Sequence, residues 1–266
     1  MLLTVSHLSR YRYDQPVPYA LQRLRLWPLS AAGQVVRHWD VGVEGARIEA
    51  NYTDGFGNRT ALVRHDRSAE EIVIRASGEI VTEDRGGVFG LGNGVPPTWV
   101  FERETELTGK GPAITALAES LRGGVDERLP LLHRLMSEIH ARVAYMPGTT
   151  SVATEAEAAL VAGSGVCQDH SHIFIAVARL LGIPARYVSG YLLMEGVAEQ
   201  TASHAWAEAW VDGLGWVGFD AANDVCPEEH YVRLAVGLDY HYAAPVSGIR
   251  MGSAAETLAV EISVEQ

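Results

Sequence analysis

Residues 165–193 read GVCQDHSHIFIAVARLLGIPARYVSGYLL. Gly163 and Gly165 mark a turn before this run. Ile173 to Leu181 is apolar enough for a buried helix, and Gly182 and Pro184 stop it. ARYVSGYLL, residues 185–193, then alternates as a β strand. Cys167 therefore falls where a helix begins. Unpaired N–H groups and the positive end of the helix dipole stabilise a thiolate there. The glycines permit close substrate approach, and backbone N–H groups at the turn can point at a developing oxyanion.

Two more strands follow, HAWAEAWV (204–211) and GWVGFDAAN (215–223). Asp212-Gly213-Leu214-Gly215 between them is a hairpin signal. Folding back about that turn sets His204 across from Asp220, within about two residues of register. A thiolate needs an imidazole to hold the ion pair and to protonate the leaving group. The imidazole needs a carboxylate to fix its tautomer. Cys167, His204 and Asp220 are thus the candidate nucleophile, base and orienter, in papain-type chain order.

Upstream lie helices. PAITALAESL, residues 112–121, carries Pro early and apolar residues at helical spacing. LPLLHRLMSEIHARVAY, residues 129–145, places Leu132, Leu135, Ile139 and Val143 on one stripe. Thr154 and Glu157 have the spacing of a capping box opening ATEAEAALVAG. The second half is therefore helices first and an antiparallel sheet after, an α+β arrangement.

The first hundred residues alternate as strands. LLTVSHLSRYRY, RHWDVGVEGARIEANY, TALVRHD and EEIVIRASGEIVTED are separated by turn signals at residues 14–18, 54–58 and 85–87. This spacing fits a small antiparallel sandwich or barrel. Residues 88–111 read as loop, with Gly and Pro concentrated in GLGNGVPP. The boundaries drawn are 1–108 for an N-terminal β domain and 109–266 for a catalytic domain.

The chain has 266 residues, 47% hydrophobic and 20% charged, with a net charge of −12. That composition builds a packed core and argues against a nucleic-acid binder. No apolar run approaches the ~18 residues of a membrane span. Ser6, His7 and Arg10 interrupt any leader-type apolar region, which gives a cytoplasmic expectation. The two cysteines, Cys167 and Cys226, are expected to be free, with Cys226 a small core residue.

A zinc site is a competing reading, since Cys167, Asp169, His170 and His172 crowd together. Residues 167, 169 and 172 do not share a helix face, and no paired ligand spacing occurs. No metal or other cofactor is expected. A non-catalytic protein-binding module is a second competitor, against which the three spaced residues argue.

The blocks around Cys167, His204 and Asp220 resemble the core of bacterial transglutaminase-like proteins, some of them described as proposed cysteine proteases. HLSRYRYDQPVPYALQRLRLWP (7–28), the loop Asp54-Gly55-Phe56-Gly57-Asn58 and LAVGLDYHYAAPVSG (234–248) resemble other parts of that family. The resemblance implies a papain-like core, an acyl-enzyme on Cys167 and a protein or peptide substrate. It leaves water or an amine as the acceptor; hydrolysis is the leading expectation and transfer to an amine the alternative. Gln168, Asp169 and Tyr191 match family positions near the site and are candidate substrate or oxyanion contacts. His170-Ser171, Ala221-Ala222 and Leu238 depart from the family pattern at positions that bear on substrate contacts.

Overall fold

A computed structural model describes residues 1–15, 17–66, 71–92, 96–122, 127–194, 196–197, 199–252 and 254–266. Parts of the 14–18 turn and of the GLGNGVPP stretch lie outside the described residues.

The first six strands are β1 (Leu2–Tyr13), β2 (Tyr19–Trp27), β3 (Gln34–Glu44), β4 (Ala46–Thr53), β5 (Arg59–His65) and β6 (Glu71–Thr82). A short β7 (Val88–Gly90) and a 3₁₀ turn (Thr98–Glu102) follow. Next come α1 (Pro112–Leu121), α2 (Arg128–Arg142), β8 (Ala144–Tyr145), α3 (Ala156–Ala162), β9 (Ser164–Gly165) and α4 (Cys167–Leu180). The chain ends with β10 (Ala185–Leu192), β11 (His204–Val211), β12 (Gly215–Phe219), β13 (Tyr231–Gly237), α5 (Tyr240–Ala243), β14 (Val246–Met251) and β15 (Glu256–Glu265).

Two four-stranded antiparallel sheets, in orders β15-β1-β6-β3 and β14-β2-β5-β4, make a sandwich. Alternation explains it: on β1 the buried residues Leu3, Val5 and His7 face inward and Leu2, Thr4 and Ser6 face out. The stretch 37–52, read from sequence as one run, is two strands in different sheets. Gly45, at φ 74°, makes the corner, a conformation other side chains adopt at a cost.

The third sheet, β13-β10-β11-β12-β7, carries the helical layer. Helix α4 is buried over nearly its whole length between this sheet and the other helices. It ends in a Schellman arrangement, with Ile183 N–H donating to Ala178 O and Gly182 N–H to Arg179 O, both at 2.9 Å. The 212–215 turn forms as the sequence implies, with Val211 paired to Gly215.

Sheet membership does not follow the split drawn at residue 108. β7 joins the third sheet, and β14 and β15 return to the sandwich. The halves meet through two side-chain amides that imitate strand pairing. Gln34 accepts from Arg233 N–H and donates to Arg233 O; Asn58 does the same with Val236, all at 2.8–2.9 Å. Asp54 of the 54–58 loop holds Asn58 and the buried Arg25, which gives that loop a structural role.

The capping expectation at Thr154 and Glu157 fails. Helix α3 starts at Ala156 without a side-chain cap, and Thr154 Oγ1 accepts from Ser151 N–H instead. Glu157 caps another helix: its carboxylate accepts from Ala113 N–H (2.8 Å) and Ile114 N–H (2.9 Å) at the start of α1. Among the described residues, no helix is long and apolar enough to cross a membrane.

Candidate active site

Cys167 is the first residue of α4, and its side chain is 8% exposed. The turn before it is built by Asp169. Its Oδ2 accepts from Val166 N–H and from Thr150 Oγ1, both at 2.7 Å, half of a capping box. Gly165 is required for this reason: a Cβ there would sit 2.7 Å from the Asp169 side chain. The glycine makes room for the cap. The N–H groups of Cys167 and Gln168 have no partner among the described residues, as the first donors of a helix.

His204 begins β11 and Asp220 follows β12. Ala207 pairs with Phe219, so Asp220 stands level with Trp206, two residues from His204. The imidazole spans that offset, and Nε2 lies 2.6 Å from Asp220 Oδ2. Nδ1 is left to face the thiol, whose sulfur is near enough for its charge to act on the imidazole. Burial pushes the His204 pKa down. The charge on Cys167, hydrogen bonds to Asp220 and Cys167, and the charge on Asp220 outweigh it and raise it to about 10.

Asp220 is 1% exposed, and burial alone would raise its pKa. Hydrogen bonds and the neighbouring imidazole win, and the pKa is lowered. Oδ2 accepts from Asn223 Nδ2 (2.7 Å) and Tyr231 Oη (2.8 Å) as well as from His204. Oδ1 accepts from the N–H groups of Ala222 and Asn223.

The sequence reading missed Asn223, Tyr231 and Tyr145. Tyr145, 53% exposed, stands near Cys167, and its hydroxyl is pushed up to about 12, first by burial and then by the charges of Cys167 and Asp220. The parallel pairing of Ala144 with Ser164 and Tyr145 with Gly165 brings it there. Asn223 had a local signal, standing three residues after Asp220 where an amide can fold back. Tyr231 and Tyr145 had none.

Gln168 follows Cys167 directly, and its side chain turns to the loop before α3. Gln168 Nε2 donates to Val152 O at 3.3 Å, tying the loop before α3 to α4. Tyr191 is not brought to the thiol. Its strand position turns it toward the sandwich, where its hydroxyl meets His7 Nδ1 at 2.9 Å and it joins the inter-sheet core. His170 lies against the carbonyls of Val166 and Val143, and His172 Nε2 accepts from Tyr240 N–H. Cys226 is free, with its thiol pushed up to about 11 by burial.

The Transglutaminase-like superfamily profile matches residues 115–221, and that of the bacterial transglutaminase-like N-terminal region matches residues 3–81. An uncharacterized protein of Mycobacterium leprae is 31% identical over 98% of this chain and 98% of its own length. The chain belongs to the bacterial transglutaminase-like family. A protein-glutamine gamma-glutamyltransferase of Pseudomonas aeruginosa is 31% identical over 52% of this chain and 23% of its own length. A structure from Cytophaga hutchinsonii, described as a proposed cysteine protease, superposes with a TM-score of 0.79 at 22% identity, covering 100% of this chain and 91% of that one. That likeness establishes a shared fold, so the transglutaminase-like architecture spans both the sandwich and the helical layer.

Proposed function

We propose that this chain is a thiol acyl-transfer enzyme, acting on peptide or carboxamide bonds and releasing the acyl group to water. The observation that carries the reading is the 2.6 Å contact of His204 Nε2 with Asp220 Oδ2, beside a thiol at a helix start. The Cys167 sulfur attacks the acyl carbon and forms a thioester. The oxyanion is received by the N–H groups of Cys167 and Gln168. His204, a cation over the physiological range, gives its proton to the departing amine and becomes neutral. It then takes a proton from the incoming water, which displaces the sulfur and restores the ion pair. Asp220 holds the imidazole through both steps. Asp169 sets the turn that carries the sulfur and is a positioning residue.

Water needs no dedicated acceptor site, which supports hydrolysis as the outcome. The Pseudomonas relative favours a second reading, in which a primary amine receives the acyl group; the thioester serves both. The substrate is a protein or peptide, with no cofactor. The cytoplasm fits two free thiols.

The test is mass analysis of the protein mixed with a glutamine-containing peptide and with its anilide, with and without a labelled primary amine. The proposal expects an acyl adduct on Cys167, absent from Cys167→Ala, that decays to free acid. Amine incorporation exceeding acid release replaces hydrolysis by transfer. Absence of any adduct rejects both.

A further inference from the structure

Two cavities lie side by side along the seam between the helical layer and the sandwich. The larger, about 670 Å³, is walled by residues 103–107, Val152 and the segment that carries Tyr240. The smaller, about 320 Å³, opens between the two sandwich sheets onto Tyr11, Tyr13 and Gln22, with β14 and the start of β15 at its mouth. Val152, Tyr240, Val246 and Ser247 line both, so the two cavities share a wall. Each lies in the range of ligand-binding clefts.

One wall connects to the thiol. Val152 O is the acceptor for Gln168, the residue after Cys167. Tyr240 N–H donates to His172 one turn along α4, and the Tyr240 ring meets Tyr187, whose hydroxyl feels the charge of Cys167. The wall is rigid. Buried Arg179 donates to Phe101 O, Thr108 Oγ1, Ala185 O and Leu238 O at 2.6–2.9 Å, fixing both sides of the larger cavity.

The opposite wall is unfinished. β14 is the last strand of its sheet, so its outer edge has no strand partner among the described residues. Its Ile249 and Met251 are 67% and 65% exposed. A bare edge of this kind accepts an extended chain. Gln22 supplies an independent signal. Alternation on β2 turns Ala20, Gln22 and Leu24 inward, and Gln22 is only 6% exposed. Its Oε1 is buried with no hydrogen-bond partner, although it lines the smaller cavity. A buried orphan acceptor is costly unless something supplies a donor.

We propose that this cleft binds an extended polypeptide arm of the substrate. The arm adds as a strand to the free edge of β14, and one of its side chains gives an N–H to Gln22 Oε1. Its acyl carbonyl lies at Cys167. The inference rests on the thiol-enzyme reading and deepens it: the substrate is an unfolded or loosely folded chain rather than a small amide. It also gives the sandwich a function, since β14 and β2 both belong to it.

Two variants test the cleft. Ser247→Trp puts a large ring in the wall that the cavities share, and Gln22→Leu removes the acceptor at similar volume. Each is assayed on β-casein, an unfolded polypeptide, and on a short N-acetyl dipeptide ester. The ratio of kcat/KM for casein to that for the ester should fall about tenfold in Ser247→Trp and about threefold in Gln22→Leu. An unchanged ratio in Ser247→Trp overturns the proposal. So does equal loss on both substrates, because the cleft would then not act on the arm. A parallel measurement separates this inference from the chemistry. Labelled casein should bind Cys167→Ala and lose about tenfold in affinity on adding Ser247→Trp. Equal binding overturns the cleft even if the thiol reading stands. Casein binding that weakens as expected while no substrate acylates Cys167 keeps the cleft and rejects the chemistry.

Discussion

His204 Nε2 lies 2.6 Å from Asp220 Oδ2, and that same oxygen accepts from Tyr231 and Asn223. The carboxylate is thus held by the protein as firmly as it holds the imidazole. Replacing Asp220 by Asn puts an amide where Oδ2 now faces three donors. The expected loss in kcat is about 10³–10⁴-fold, by analogy with other carboxylate-oriented histidines. Tyr231→Phe removes one donor and leaves the carboxylate, so kcat should fall about tenfold or less. Steady-state kinetics on the two variants check the order. Equal losses would contradict it.

The pH dependence follows from His204. Its pKa in the folded protein is about 10, above the ordinary 6.5. The stabilising contribution of the imidazolium is therefore complete below pH 6.5 and is lost as pH rises through about 10. Activity that needs His204 as an acid should decline on the same alkaline limb. In Cys167→Ala two of the raising influences vanish, and the His204 titration should move down. Ring-proton NMR of both proteins measures this.

Gly165→Ala should be damaging although its φ is not left-handed. The new methyl would meet Asp169, so the carboxylate must leave Val166 N–H or the turn must shift. A cost of about 1–3 kcal/mol is expected from such crowding. Combining it with Asp169→Ala should cost less than the sum of the two single changes. Denaturant unfolding of the four proteins checks it.

Glu157→Ala should loosen α1, not α3. The lost caps on Ala113 and Ile114 predict about 1 kcal/mol and a fall in Tm of about 2–4 °C. Hydrogen exchange should quicken at residues 113–116. Quickening confined to the start of α3 would restore the local capping box.

The parts of this protein readable from sequence are those encoded within about twenty residues. The 212–215 turn sets the β11–β12 hairpin, and with it the approach of His204 to Asp220. Gly182 and Pro184 end α4, and Cys167 begins it. What sequence hid depends on distant pairing. Glu157 has the spacing of a local cap, yet its N–H partners lie 43 and 44 residues away. Tyr145 reads as the end of a helical stripe, and only its pairing with Gly165 carries it to the thiol. Tyr191 matched a position near the site, while the packing of β10 against the sandwich decided its direction. The tail strands alternate plainly, but alternation does not say which sheet they join, and they pair with the strands of the sandwich.

The central claim is that Cys167 is an activated nucleophile and Cys226 is not. The direct measurement is the rate of iodoacetamide modification of each cysteine at pH 7, read by peptide mass. Burial holds the Cys226 thiol up at about 11, so almost none of it is thiolate. Cys167, paired with His204 at the start of α4, should react about a hundredfold faster or more, and His204→Ala should remove most of that advantage. Equal, slow labelling of both cysteines would contradict the account.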